Sequence, residues 1–166
     1  LIWGPGDNQL LPRLLAKAKA GKLRRVGAGK NVVDTTYIDN AVQAHVAALD
    51  RLNPQAACAG KAYFIANDQP QPLWNVIDRM LACGDAPPVT RGVSATTAYL
   101  AGGLLELIYG TLGLSSEPPM TRFVARQLAT SHWYDLSAAK RDLGYVPAVT
   151  VDEGLGRLRA WLHAVR

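Results

Sequence analysis

At 166 residues, with 49% apolar and 19% charged side chains, the chain has the make-up of one folded domain, which excludes a disordered or fibrous protein. Its net charge of +5 comes from Lys and Arg spread along the chain apart from short pairs such as Arg24-Arg25. No basic stripe with interleaved aromatics is visible, which argues against a nucleic-acid partner.

Leu1-Ile2-Trp3 reads as a buried strand, broken by Gly4-Pro5-Gly6-Asp7 because Gly tolerates φ > 0 and Pro presets a turn dihedral. A strand at the first residue, with no initiator Met and no polar lead-in, is expected to belong to a longer sheet. The spacing of Leu10, Leu11, Leu14, Leu15 and Ala18 predicts a helix from about Gln9 to Ala20, stopped by Gly21. Leu23 to Val26 is expected to be a short strand, Gly27 to Asn31 a turn-rich loop, and Thr35 to Ile38 a strand that delivers Asp39 as N-cap to a helix ending near Leu52.

Lys61 to Ala66 (KAYFIA) reads as a fully buried strand, turned by Asn67-Asp68-Gln69-Pro70 into a helix over about Leu73 to Cys83. A long apolar run, interrupted only by Glu106, follows from Val93 to Leu114. A helix over Thr121 to Leu128 and a strand at His132-Trp133-Tyr134 come next. Ser137 is expected to cap a helix that Gly144 ends. Thr150 to Glu153 forms a capping box for a last helix with Val151, Leu155, Leu158, Leu162 and Val165 on its apolar face. Strands alternating with helices over short connections predict an α/β fold, with residues 1–166 as one unit.

Reactive chemistry is sparse. Gly27-Ala28-Gly29 opens like a dinucleotide fingerprint, but Val32 stands at the sixth position and a strand follows, so a plain tight turn is expected. Cys58 and Cys83 are far apart, and His45, His132 and His163 are scattered, so no metal site is expected. His45 shares a helix stripe with Ala41, Ala48 and Leu52 and reads as a core histidine. Two unclustered cysteines suit a reducing compartment, so a cytoplasmic location is expected.

Four stretches carry a resemblance: LIWGPGDNQLLPRLL, VGAGKNVVDTTYIDNAVQAH, GKAYFIANDQP followed by Leu73-Trp74, and DLSAAKRDLGYVPAVTVDEGL. In this order they resemble the C-terminal half of an extended short-chain dehydrogenase/reductase of the 3β-hydroxysteroid dehydrogenase and sterol-4α-carboxylate 3-dehydrogenase family. The implied fold is the C-terminal part of an NAD(P)-binding Rossmann domain with its substrate-binding lobe, the N-terminal dinucleotide-binding half being absent. The implied activity interconverts a ketone and a secondary alcohol, with NAD or NADP as cofactor and a hydrophobic small molecule as substrate. The bacterial members that the chain looks most like reduce 2-alkyl-3-oxoalkanoates.

The resemblance also assigns residues. It sets the nicotinamide end of the cofactor near Leu1 and Ile2, and it makes Trp3, Gly4, Pro5, Asp7 and Leu10 part of the substrate site. In nucleotide-sugar relatives an Arg that contacts the substrate diphosphate stands where Val33 stands here, which disfavours a sugar-nucleotide epimerase because Val cannot supply a guanidinium. The family's catalytic Tyr-x-x-x-Lys is missing: four residues after Tyr37, Tyr63, Tyr99, Tyr109, Tyr134 and Tyr145 stand Ala41, Asn67, Gly103, Gly113, Ala138 and Val149. This chain by itself is therefore expected to be inactive and to contain no catalytic residue.

The run from Ala95 to Leu114 is expected to be a helix that lines or covers an apolar substrate tunnel through Leu104 and Leu107. Glu106 and Gly102, Gly103, Gly110 and Gly113 argue against bilayer insertion, which leaves peripheral membrane contact as its rival and core packing as the plain alternative. A homodimer is the commonest soluble assembly. The alternative from another class is a stand-alone binding or assembly module.

Overall fold

Apolar strands too short to bury themselves and helices with one apolar side have to cover one another, and here they do so in short ladders flanked by helices. The computed structural model describes residues 1–164. The chain runs β1 (Ile2–Trp3), α1 (Leu10–Lys19), β2 (Arg25–Val26), β3 (Val32–Val33), β4 (Thr36–Tyr37), α2 (Ile38–Arg51), β5 (Gln71–Pro72), α3 (Leu73–Cys83), β6 (Gly92–Val93), α4 (Ala95–Thr111), α5 (Arg122–Ala129), α6 (Ser137–Leu143) and α7 (Val151–Ala164). Strand β1 pairs in parallel with β4 and β2 in parallel with β6, while β3 and β5 are antiparallel. The architecture is α/β, as expected.

Helix α3 is the central beam because apolar residues occupy both of its sides. Leu73, Trp74, Ile77 and Leu81 recur at helical spacing and face a core with Val26, Val33 and Val89. Val76, Met80 and Cys83, on the other side, enter a second core with Trp3, Tyr37, Val151, Leu155 and Leu158. Each large side chain so buried contributes about 1.5–3 kcal/mol. A third cluster joins Ala44 of α2 to Leu136, Ala139, Leu143 and Tyr145 around α6.

A buried amide pair ties distant segments together. Asn67 Oδ1 accepts from the Tyr37 amide (2.8 Å) and from Asn40 Nδ2 (3.0 Å), and Asn67 Nδ2 donates to the Val149 carbonyl at 3.1 Å. Asn40 Nδ2 also donates to that carbonyl (2.7 Å), while Asn40 Oδ1 accepts from the amides of Ala148 (3.0 Å) and Val149 (2.9 Å). The Gln69 side chain accepts from the Val151 amide at 2.9 Å and so holds the start of α7.

Several expectations are corrected. Residues 61–66 form no strand: Thr36 Oγ1 and the Tyr145 hydroxyl donate to the Ile65 and Ala66 carbonyls (both 2.9 Å) where a strand would have used a ladder. Phe64 is exposed and stacks on Tyr134 at 4.2 Å between ring centroids. The expected strand at 132–134 is a single bridge from His132 to Val33, and the strand expected from Leu23 starts at Arg25.

Tyr37, not Asp39, holds the N-cap position of α2, and Asp39 instead pairs with Arg157 at 2.8 Å. Ser137 is the first residue of α6 rather than its cap, and the Asp135 carboxylate accepts from its amide (2.8 Å). Only half of the capping box forms: Thr150 Oγ1 accepts from the Glu153 amide (3.2 Å), but the Glu153 carboxylate turns to Arg157 (2.7 Å). His45 is exposed, with Nδ1 2.7 Å from the Ala41 carbonyl; the buried side of α2 is Asn40, Ala41 and Ala44, whose small volumes let α2 approach its neighbours. Gly144 ends α6 in the left-handed conformation as expected, and Val165 lies outside the described residues.

Asp142 pins residues 61–63 to α6, accepting from Arg141 Nε (2.8 Å), the Tyr63 hydroxyl (2.9 Å) and Lys61 Nζ (3.1 Å). The Arg141 hydrogen bond, then those of Tyr63 and Lys61, hold its carboxyl well below the usual range. A depressed folded-state value contributes stability above the unfolded value of about 4 and loses it as pH falls through that window. The stability gap between the natural chain and Asp142→Asn should therefore be largest near neutrality and close on acidification, as measured by urea unfolding across pH.

Asn67→Ala should cost about 3 kcal/mol or more by the same measurement, since it strips an acceptor from two buried donors. Asn67→Asp keeps the acceptor but sets a charge against the Val149 carbonyl, and it should be no milder.

Candidate functional site

The turn after β1 builds the candidate site. Ile2 and Trp3 align with Thr36 and Tyr37 of β4, and the Thr36 amide donates to the Leu1 carbonyl at 2.8 Å. Trp3 Nε1 donates to Thr35 Oγ1 (3.0 Å), and its ring meets Tyr37 edge-on at 5.2 Å. These contacts bury Trp3 to 2% exposure. Gly154 of α7 lets the aromatic pair in, since a Cβ there would stand 2.7 Å from Tyr37.

Ile2, Trp3, Gly4, Pro5, Gly6, Asp7 and Ile38 line an open depression of about 290 Å³. Gly4 is required where it stands, because a Cβ would come within 2.5 Å of Ile38 Cγ2. Asp7 is a structural acceptor: its carboxylate takes the amides of Gln9 (2.9 Å), Leu10 (3.0 Å) and Leu11 (3.1 Å), the otherwise unpaired donors at the start of α1. Its negative charge also suits the positive end of the helix dipole.

The residues singled out from the sequence fall into three places. Gly4, Pro5 and Asp7 meet at the depression, with Leu10 half-buried at the first turn of α1. Leu1 and Ile2 are 50% and 57% exposed where β1 begins, and Ile2 also lines the depression. Trp3 borders the depression but spends its polar atom on Thr35.

Val33 is buried in β3, in the core around α3, and does not line the depression. Leu104 and Leu107 lie elsewhere, 59% and 62% exposed on α4. That helix packs chiefly on α5, to which Arg122 ties it by donating through its amide and Nε to the Glu106 carboxylate (2.8 and 2.6 Å). No residue of α4 lines the depression after β1, and no described helix is long and apolar enough to cross a membrane.

The sequence reading missed Ile38, which closes the depression against Gly4, and Asp34. Burial pushes the Asp34 carboxyl up, opposed by backbone hydrogen bonds from Gln69, Asp68 and Thr35. Ile38 has no motif of its own, and Asp34 shows only as the one carboxylate of the VVDTTYI stretch, between two valines and two threonines. Tyr145 offers no acid-base group: burial pushes it up to about 12, and its hydroxyl is committed to the Ala66 carbonyl.

Residues 1–86 match the 3-beta hydroxysteroid dehydrogenase/isomerase family. The chain is 54% identical over 160 residues to a 2-alkyl-3-oxoalkanoate reductase of Stenotrophomonas maltophilia, a match that covers 96% of this chain and 48% of that protein. It is 34% identical over 168 residues to the decarboxylating sterol-4-alpha-carboxylate 3-dehydrogenase of Mus musculus, covering 99% of this chain and 46% of the relative. The chain spans about half the length of the curated relatives it matches. Among solved structures, the UDP-glucuronic acid 4-epimerase of Bacillus cereus in complex with NAD superposes with a TM-score of 0.60 at 19% identity, over 99% of this chain and 42% of that one. At that identity the likeness shows the fold alone.

Asp7→Ala should destabilise the protein by about 1 kcal/mol, the usual worth of a helix cap, and speed hydrogen exchange at the amides of Gln9, Leu10 and Leu11. Asp7→Asn, which keeps an acceptor, should lose less.

Proposed function

Because the chain belongs to the 3-beta hydroxysteroid dehydrogenase/isomerase family, we propose that it is the substrate-binding lobe, with the last strands and helices of the cofactor domain, of an NAD(P)-dependent oxidoreductase. The substrate proposed is a hydrophobic 2-alkyl-3-oxoalkanoate, reduced at its ketone to the secondary alcohol. The 54% identity to a 2-alkyl-3-oxoalkanoate reductase over nearly the whole chain carries this reading. A 3-hydroxysteroid or sterol substrate is the related alternative, supported at lower identity.

In this reading NAD or NADP supplies the hydride. Leu1 and Ile2 would hold its nicotinamide end, and their exposed apolar side chains fit that duty by keeping water from the reacting carbon. Gly4, Pro5 and Leu10 would wall the substrate, held in place by the Asp7 cap and by Ile38. Acid-base chemistry would come from a Tyr-x-x-x-Lys outside these residues. Val33 weighs against a sugar diphosphate, since a buried valine offers no hydrogen bond to it.

The stripe of Leu100, Leu104 and Leu107 on α4 would cover the alkyl chains of the substrate. A peripheral lipid surface is the second reading, favoured by the same exposure together with the pairing of Glu106, the one charge on α4, with Arg122.

The full-length protein should oxidise NADH or NADPH with a long-chain 2-alkyl-3-oxoalkanoate, and residues 1–166 alone should not; turnover by the isolated chain would overturn the assignment of the catalytic groups. In the full-length enzyme, Leu104→Asp should raise KM about tenfold for long-chain substrates, the effect of roughly 1.4 kcal/mol, and little for short ones. Equal losses at all chain lengths would remove α4 from the substrate site, and loss of vesicle binding instead would favour the lipid reading.

A further inference from the structure

Basic charge is less evenly spread than the sequence reading held. Between Asp7 and Asp34 the chain carries Arg13, Lys17, Lys19, Lys22, Arg24, Arg25 and Lys30 and no acidic residue at all. Folding divides this group. Arg25, the first residue of β2, meets Asp78 at 2.6 Å. Arg24 instead turns back along its own loop, its Nη1 donating to the carbonyls of Gly21 (2.6 Å) and Leu23 (2.9 Å).

The parallel ladder of β2 and β6 sets a second arginine in the adjoining segment. Arg25 pairs with Gly92, and the Arg25 amide donates to the Arg91 carbonyl at 2.8 Å, so Arg24 and Arg91 each stand one residue before the first paired position of their strands. Neither forms an ion pair among the described residues. A guanidinium carries five N–H donors, so each of the two keeps donors that an anion can take.

Both arginines line a depression of about 430 Å³ whose other walls include Leu23, Pro87, Val89 and Thr90, with no acidic residue in the lining. That volume is far beyond the roughly 30 Å³ share of one water and falls in the range of small-molecule sites of about 300–1,000 Å³. Lys17 and Lys19, in the last turn of α1, add positive potential at the same end of the helix. The depression shares no lining residue with the one at Gly4.

We propose that the depression between the C-terminal end of α1 and residues 87–91 binds an organic phosphate, with the Arg24 and Arg91 guanidiniums on the phosphate and the Leu23, Pro87 and Val89 walls against its organic body. Guanidinium donors match phosphate oxygens in geometry, and the Arg24 bonds to its own loop hold one of them in place beforehand. This assignment is independent of the oxidoreductase reading.

The test is calorimetric titration of the full-length protein, saturated with NAD(P)+ so that any dinucleotide site is filled, with phenyl phosphate, inorganic phosphate and phenol. Phenyl phosphate should bind saturably, more tightly than inorganic phosphate, and phenol should not bind. Arg91→Ala, whose side chain makes no hydrogen bond among the described residues, and Arg24→Ala should each weaken phenyl phosphate about tenfold or more, the effect of a charge-assisted contact. Lys30→Ala, outside the lining, should leave binding unchanged. Vesicles of phosphatidylcholine with and without phosphatidic acid separate the sources: Arg91-dependent binding to the phosphatidic acid vesicles alone would support the same site with a lipid headgroup as its phosphate. If neither phenyl phosphate nor those vesicles bind, or if binding survives both arginine substitutions, the proposal is overturned.

Discussion

The Val149 carbonyl, held by the side-chain amides of both Asn40 and Asn67, is the contact on which the arrangement of the chain depends. Those two amides also take up the backbone donors of Tyr37, Ala148 and Val149, so three segments remote in sequence share one buried polar knot. An unpaired buried donor or acceptor costs about 1–3 kcal/mol, and each of these side chains satisfies several at once. Apolar contact alone would hold the same segments together without specifying their register.

From that knot the candidate site follows. The segment 34–40 is locked against 67 and 149, which sets β4, and β4 sets β1 through their parallel pairing. The Trp3 ring, seated against Tyr37 and hydrogen-bonded to Thr35, then fixes where the strand ends and the Gly4 turn begins. Ile38, the first residue of α2, fills the space that a side chain at Gly4 would need. The depression is thus walled by residues whose positions are determined by the core beneath them.

Two surfaces lie outside this rigid frame. The apolar stripe on α4 is covered by nothing among the described residues, and its one carboxylate is neutralised by Arg122. The basic depression at the end of α1 owes its charge to a run of sequence without acids and its shape to the β2–β6 ladder. One surface suits an apolar contact and the other an anion, and they belong to different elements.

Local signals were strong enough to be read directly. Helix α3 is found at the bounds expected, because its apolar period and the turn at 67–70 leave no other reading, and α1, α5 and the Gly144 stop agree within a residue or two. The collinear stretches from Leu1 to Leu155 carried the family, since order and spacing over most of a chain are more specific than any single motif. KAYFIA misled for the converse reason: its β-forming composition says nothing about whether a partner strand is present, and the Thr36 and Tyr145 hydroxyls took the carbonyls. Asp7 was legible as a turn residue but not as the acceptor for three amides, which needs the helix in place. Composition, period and motif order, all written in near neighbours along the chain, determined the α/β class, the main helices and the family. The tertiary structure alone decided the amide knot, the seating of Trp3, the exposure of Leu104 and Leu107 and the placing of Arg24 and Arg91 around one depression, because each depends on contacts between residues far apart in sequence.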